Sequence, residues 1–243
     1  MNAYRAPVVR AIVGKELREY SQNRMILITA ILLPLTLMVL PMANLALMDP
    51  QRLELQAIEF AVGQAVFCFF LTPIILPAAM AAFTVIGERD QGTIEPLLTL
   101  PVEEKQFLFA KVLAIVIPTV AMSVLIFGVY VVYVVAVVEE PMRSLALDWR
   151  WFVGVLGLAG PLAVFSTLVG MMMSSRAKDI RVAEHLSGLI LLPSAMPFLL
   201  VGAGVIPRGM LTWVILLAVV MALNAGLALL NRKLFDRERV VVG

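Results

Sequence analysis

Six long apolar runs, separated by shorter polar links, account for most of the chain. The runs cover residues 26–48, 60–86, 112–138, 151–173, 186–206 and 210–230. Each is long enough to cross the roughly 30 Å hydrocarbon core of a bilayer as a helix. None shows the residue-by-residue alternation of a membrane barrel strand. The pattern therefore predicts an all-α integral membrane protein with six transmembrane helices.

A weaker pattern precedes the first run, in the segment 1–24. Apolar side chains recur there at helical spacing, with basic residues elsewhere around the axis; they are Val9, Ile12, Val13, Leu17 and Tyr20. This arrangement predicts an amphipathic helix that lies in the membrane interface. A soluble leader that is amphipathic by chance is the alternative.

A polar segment, 87–102, separates the second and third runs and has the sequence GERDQGTIEPLLTLPV. It opens with three charged residues, Glu88, Arg89 and Asp90, and Gly92 then allows a turn. We interpret the charged residues as the point where the second span leaves the membrane.

The rest of this segment has the period of a short helix. Thr93 is a candidate N-cap, Pro96 falls in the first turn, and Glu95 lies away from the apolar side. The apolar side repeats at i, i+3, i+4 and i+7 and consists of Ile94, Leu97, Leu98 and Pro101. The pattern predicts a rigid amphipathic rod that can dock into a groove on a soluble partner.

Composition agrees with a membrane protein, and charge predicts its orientation. Hydrophobic residues make up 61% of the 243 residues, and the mean hydropathy is +0.97. Of 19 basic residues, all but four lie before the first span, in the second and fourth links or after the sixth span; the four are Arg52, Arg143, Arg150 and Arg208. By the positive-inside rule, both termini and the segment 87–102 are expected to face the cytoplasm.

The sequence lacks the motifs of nucleotide-binding, catalytic and metal-binding sites. No G-x-x-x-x-G-K-[ST] phosphate loop occurs, so nucleotide would have to be bound by another chain. One histidine, His185, and one cysteine, Cys68, provide neither a catalytic pair nor a metal site. We expect no catalytic residue, no metal, no cofactor and no nucleic-acid partner for this chain, and we do not expect an enzyme.

The span interiors contain polar but not charged residues, which argues against an ion-coupled carrier. Most of the polar groups, including Ser166, Tyr133 and Asn224, are expected to hydrogen-bond between helices. Pro193 and Pro197 predict a fifth span that is broken and turns near the outer surface. The candidates for a translocation path are Asn44, Gln64, Thr72, Pro193, Ser194 and Pro197.

Three stretches resemble the membrane subunits of type-2 ABC exporters, which pair a six-span permease with a separate ATPase. They are GERDQGTIEPLLTLP after the second span, Phe107 to Lys111 at the start of the third, and the KELRE sequence at 15–19. Glu103 and Glu104 depart from the family pattern, which often has a small hydroxyl residue and a base there.

The resemblance implies a division of the chain into three parts and a function. A cytoplasmic N-terminus (1–24) would precede a permease domain (25–231), whose coupling segment (87–106) would contact an ABC ATPase, and a cytoplasmic tail (232–243) would follow. ATP and Mg would be bound by that ATPase. The chain would act in a cell membrane, as a dimer with itself or a related permease, in efflux of a small amphipathic, drug-like or lipid-like compound. The alternatives are a sodium-exporting permease and a secondary carrier independent of ATP.

Overall fold

The computed structural model describes residues 5–49, 51, 53–90, 104–177 and 179–234, and these residues form α-helices and no β-strand. The helices are α1 (Arg5–Gln22), α2 (Arg24–Leu47), α3 (Leu55–Asp90), α4 (Glu104–Val137), α5 (Met142–Ala146), α6 (Trp149–Ser174), α7 (Ile180–Gly202) and α8 (Met210–Leu234). Six stretches of the described residues are long and apolar enough to cross a membrane. The predicted all-α fold with six membrane helices is thereby confirmed.

Several of these helices are preceded by a short polar residue that caps the first turn. Asn23 accepts hydrogen bonds from the backbone N–H groups of Met25 and Ile26, and Asp179 accepts one from Val182. Each caps donors that the first helical turn leaves unpaired. Because Asp179 caps α7, the fifth span begins at Ile180, six residues before the predicted position.

The prediction of a broken fifth span is wrong. α7 continues through Pro193 and Pro197 to Gly202, and the chain turns only after the helix has ended, where Gly204 adopts a φ of 75°. Proline removes one helical hydrogen bond, but membrane helices tolerate this loss when neighbouring helices cover the freed carbonyl. α2 and α3 likewise continue through the prolines that they contain.

α3 and α6 form the centre of the bundle, and small residues bring them together. A β-carbon at Gly170 would lie only 2.8 Å from the Cα of Ala78, so the two backbones nearly touch there. Close by, the hydroxyl of Ser166 donates to the carbonyl of Ile74. Small residues and interhelical hydrogen bonds are what hold helices together where lipid provides no hydrophobic driving force.

The other helices pack around this centre. α2 and α7 pack on α3, α8 packs on α6, and α4 contacts both central helices. The Asn224 side chain donates to the Pro161 carbonyl at 2.9 Å, and the Tyr133 hydroxyl donates to the Met42 carbonyl at 3.0 Å. Ser166, Asn224 and Tyr133 thus bond between helices as predicted, whereas Ser123 and Thr167 donate to carbonyls of their own helices.

The bundle has two ends, named here by one element or residue of each. The α1 end contains α1, the end of α3 and the start of α4. The Arg208 end contains the start of α3, the end of α7 and the starts of α6 and α8, with Arg208 in the link between α7 and α8.

Candidate functional site

The predicted coupling segment joins the end of α3 to the start of α4, at the α1 end. Glu88, Arg89 and Asp90 belong to the last turn of α3, which ends at Asp90. Gly92, Thr93, Ile94, Glu95, Pro96, Leu97 and Leu98 lie outside the described residues, as do the side chains of the three charged residues. The amphipathic rod and its capping therefore stay predictions.

The two helices that flank this segment are longer than a membrane crossing requires. α3 has 36 residues and α4 has 34. At about 1.5 Å per residue each is roughly 50 Å long, compared with roughly 30 Å of hydrocarbon. The helices therefore extend beyond the membrane core, and they carry the ends of the segment between them.

The predicted N-terminal stripe belongs to a helix, α1, and it faces the bundle. Tyr20 is buried, and Val13 and Leu17 pack on an apolar cluster that includes Leu76 of α3 and Ile115 of α4. On the opposite side of α1, Arg10, Lys15 and Arg18 are exposed. Whether α1 also lies in the membrane interface stays a prediction.

A buried ion pair joins α1 to α4. The Nζ of Lys111 lies 3.7 Å from Oε1 of Glu16, and the two side chains are 3% and 1% exposed. The same ammonium lies 5.0 Å from the ring centre of Phe107. A charge pair so enclosed is costly to dehydrate, and removal of one partner strongly destabilises the folded protein. It therefore fixes the position of α1 against the first turns of α4, directly after the predicted coupling segment.

The sequence interpretation missed this pair, although one signal was available. The sequence places Lys111 among the basic residues of a cytoplasmic link and at the end of the stretch Phe107 to Lys111, and neither observation indicates a buried partner. Glu16 was noted only within the KELRE stretch, yet it lies between Val13 and Tyr20 on the apolar stripe of α1. A carboxylate inside such a stripe indicates a buried partner, because an unpaired charge is rarely buried.

One face of α3 is left partly open by the surrounding helices. Side chains that are half-buried or exposed recur along it at intervals of three to four residues: Phe60, Gln64, Cys68, Leu71 and Ile75. The remainder of α3 between Ala61 and Ala82 is largely buried. α3 thus presents a continuous partly exposed face along most of its membrane-spanning length.

The predicted path residues lie on α2, α3 and α7, and they differ in exposure. Asn44 of α2 and Pro193 of α7 are exposed, while Gln64, Ser194 and Pro197 are half-buried. Thr72 is fully buried inside the bundle. Five of the six residues therefore lie at partly open surfaces, whereas Thr72 does not. The three helices that carry them are packed together, because α3 contacts both α2 and α7. Their assignment to a path stays a prediction.

Comparison with known proteins identifies the family. A family model described as "ABC-2 family transporter protein" matches residues 10–215. This match runs from α1 into the first turns of α8 and covers most of the chain. The chain belongs to the ABC-2 transporter family. No match to this chain was found among curated proteins.

Membership of the ABC-2 family agrees with the resemblance noted in the sequence. It makes the chain a multi-pass membrane permease of an ABC transporter. ABC-2 permeases typically work with an ATPase partner, and the role is that of a transport subunit and not of an enzyme. The matched region includes most of α1, both flanks of the segment 87–102 and all three helices that carry the candidate path residues.

Proposed function

We propose that this chain is the permease subunit of an ATP-driven exporter and that it is coupled to a separate ATPase through the segment 87–102. The observation that carries the proposal is the ABC-2 family match over residues 10–215. The arrangement of the helices supports it, because the two longest helices extend beyond the membrane core and flank this segment.

In this proposal the α1 end faces the cytoplasm, as the distribution of basic residues predicts. The ATPase binds ATP and Mg and displaces the segment when it changes conformation. The Glu16–Lys111 pair then transmits the displacement of α4 to α1, because a buried, well-packed contact does not slide freely. The cargo is a small amphipathic or lipid-like compound.

Substitution of Leu97 tests the coupling role. Leu97→Asp places a charge on the predicted apolar side and is expected to abolish co-purification of the ATPase, since burying an unpaired charge costs several kcal/mol. Glu95→Ala on the other side is the matched control and is expected to retain the ATPase. The measurement is the ratio of ATPase to permease after affinity purification, followed by ATP-dependent export in vesicles.

Each result of this experiment has a distinct meaning. Retention of the ATPase and of full export by Leu97→Asp would show that the segment is an ordinary loop. Export driven by an ion gradient, without ATP or a second protein, would instead favour a secondary carrier. ATP-dependent extrusion of sodium would retain the coupling proposal and replace the proposed cargo.

We also propose that two permeases face each other across the surfaces of α2, α3 and α7. With Cys68 replaced by Ala, a cysteine at Asn44, which is exposed on α2, is expected to crosslink between subunits or to be protected by cargo. A cysteine at Met221, exposed on α8, is the control and is expected to do neither. The reverse pattern would contradict this arrangement.

A further inference from the structure

A group of hydrogen-bond donors is buried at the Arg208 end, away from the coupling segment. Trp151, in the first turn of α6, is 1% exposed, and Trp213, in the first turn of α8, is 3% exposed. Their rings are 6.1 Å apart, and the guanidinium carbon of Arg208 lies 5.3 Å from the Trp151 ring centre. The start of α6 therefore meets the α7–α8 link and the start of α8, which lie far from it in the sequence.

Three buried donors of this cluster have no acceptor within hydrogen-bond distance in the described part of the chain. The Nε1 atoms of Trp151 and Trp213 and Nη1 of Arg208 are all buried, and none has a hydrogen-bond partner among the described residues. Leaving a buried donor unpaired costs roughly 1–3 kcal/mol. Arginine and tryptophan offer donors only, so a complementary group must supply oxygen acceptors.

Packing keeps the tryptophans in this position. Gly154 has no side chain, and a β-carbon there would lie 2.7 Å from the six-membered ring of Trp213. On another side, Trp213 stacks on Phe70 with the ring centres 5.8 Å apart. The second indole is thus held beside Trp151 by contacts that do not use its N–H group.

A carboxylate lies next to the donors without satisfying them. Oε1 of Glu59 is 3.7 Å from Nη2 of Arg208, beyond the 2.7–3.2 Å typical of an N–H···O hydrogen bond. The Glu59 side chain is 44% exposed, so it can also meet a cation from outside. The cluster therefore places the positive charge and the N–H donors of Arg208 and the tryptophans beside the accessible negative charge of Glu59.

The position of the cluster restricts what can bind there. Glu59 lies just inside the start of a membrane-spanning helix, and Trp151 and Trp213 lie in the first turns of two others. The ends of such helices lie at the level of the lipid headgroups. A phosphodiester has the oxygen acceptors that a guanidinium binds through its planar fork.

We propose that Arg208, Trp151 and Trp213 bind the phosphate of a zwitterionic phospholipid, with its ammonium group facing Glu59. The phosphate supplies acceptors for the three buried donors. The ammonium faces the Glu59 carboxylate and the phosphate faces the Arg208 guanidinium. Each charge of the headgroup therefore meets an opposite charge of the site. An anionic phospholipid lacks the cation and meets Glu59 without compensation.

Tryptophan fluorescence can measure this binding, because the chain has three tryptophans and the third, Trp149, is exposed. In a Trp149→Phe background the emission reports on Trp151 and Trp213. The purified, delipidated protein is titrated with short-chain phosphatidylethanolamine, phosphatidylglycerol and diacylglycerol, and with phosphoethanolamine and inorganic phosphate. We expect a saturable change with phosphatidylethanolamine, weaker binding of phosphatidylglycerol, and none of diacylglycerol.

Variants separate the contribution of each charge. Arg208→Gln is expected to weaken binding of phosphatidylethanolamine at least about tenfold, the effect of losing a charge-assisted contact. Glu59→Gln is expected to remove the preference for phosphatidylethanolamine over phosphatidylglycerol. Arg150→Gln is the matched control, since Arg150 lies at the same end but is half-exposed and pairs with Asp148; it is expected to bind normally.

Several outcomes would overturn the proposal. Equal binding by Arg208→Gln, or saturable binding of diacylglycerol, would show that the phosphate is not recognised at this site. Binding of phosphoethanolamine or inorganic phosphate as tight as that of the lipid would identify a soluble anion site instead. If Arg208→Gln does not fold, Arg208→Lys retains the charge without the planar fork, and unchanged affinity in that variant would also contradict the proposed contact.

Discussion

The two ends of the bundle each contain an ion pair between distant elements, and the N–O separation is 3.7 Å in both. At the α1 end, Lys111 and Glu16 are 3% and 1% exposed, whereas at the other end Arg208 and Glu59 are 18% and 44% exposed. Equal distances therefore do not indicate equal contributions. Water and salt screen the second pair, while the first is enclosed by protein, where an unpaired charge cannot be solvated.

The two ends also differ in what else holds them together. At the Arg208 end α3 and α7 cross at Gly63 and Gly202, and a β-carbon at Gly202 would lie 2.6 Å from the carbonyl oxygen of Gly63. That end depends on close backbone contact, as small residues allow between membrane helices. The α1 end depends on a charge pair between a helix that is not among the membrane spans and one that is.

The largest expected effect is that of breaking the buried pair. Lys111→Met removes the ammonium that faces the enclosed Glu16 carboxylate, so the free energy of unfolding is expected to fall by about 3–5 kcal/mol. Thermal unfolding of the purified protein in detergent measures the change. Lys15→Met is the control, because Lys15 forms a half-exposed pair with Glu19 at 3.2 Å, and such pairs contribute at most about 1 kcal/mol.

The double variant shows whether the loss of stability in Lys111→Met is caused by the buried charge or by the lost packing. Replacement of both Glu16 and Lys111 by Met removes both buried charges of the pair, and the stability is expected to return to within about 1 kcal/mol of the wild type or above it. If the double variant were as unstable as Lys111→Met alone, packing around the lysine would explain the loss and the contrast between the two ends would not be electrostatic.

Much of the fold could be predicted from the sequence because the membrane restricts the possibilities. An apolar run of about 20 residues in lipid can satisfy its backbone only as a helix, so all six spans were predicted at about the right positions. Helix ends were predicted less well. α3 begins at Leu55 and α4 at Glu104, several residues before their apolar runs, since polar residues extend a helix once it leaves the hydrocarbon.

The contacts between helices could not be predicted in the same way. Periodicity shows that one side of α1 is apolar, but it does not show which helix that side meets. The Glu16–Lys111 pair and the Arg208–Trp151–Trp213 cluster each join residues that are far apart in the sequence. The proline pair in α7 was misinterpreted for a related reason, because a proline in the local sequence does not show whether a membrane helix ends there or continues.

A smaller effect is expected from separating the helices at the Arg208 end. A β-carbon at Gly63 would overlap the carbonyl oxygen of Gly202, so Gly63→Ala requires α3 and α7 to move apart and is expected to cost about 1–3 kcal/mol. Gly128→Ala in α4 is the control, because nothing lies within 4 Å of a β-carbon there. Alanine favours a helix over glycine, so this control is expected to be neutral or slightly stabilising. Equal losses in both variants would indicate that the close crossing is not what holds this end.

The smallest loss of stability is expected from Glu59→Gln. This variant changes the exposed Arg208–Glu59 pair, whose N–O distance equals that of the buried Lys111–Glu16 pair. The glutamine keeps the shape of the side chain and removes its charge, and Arg208 remains partly accessible to water. In delipidated protein the loss is expected to be about 0–1 kcal/mol, and to shrink further at high salt because exposed charges are screened within about 10 Å at 0.1 M. Glu16→Gln is the matched comparison, since it makes the same chemical change at the buried pair. Thermal unfolding of both variants at low and high salt measures the difference. A loss in Glu59→Gln as large as that in Glu16→Gln, and insensitive to salt, would show that burial does not distinguish the two ends.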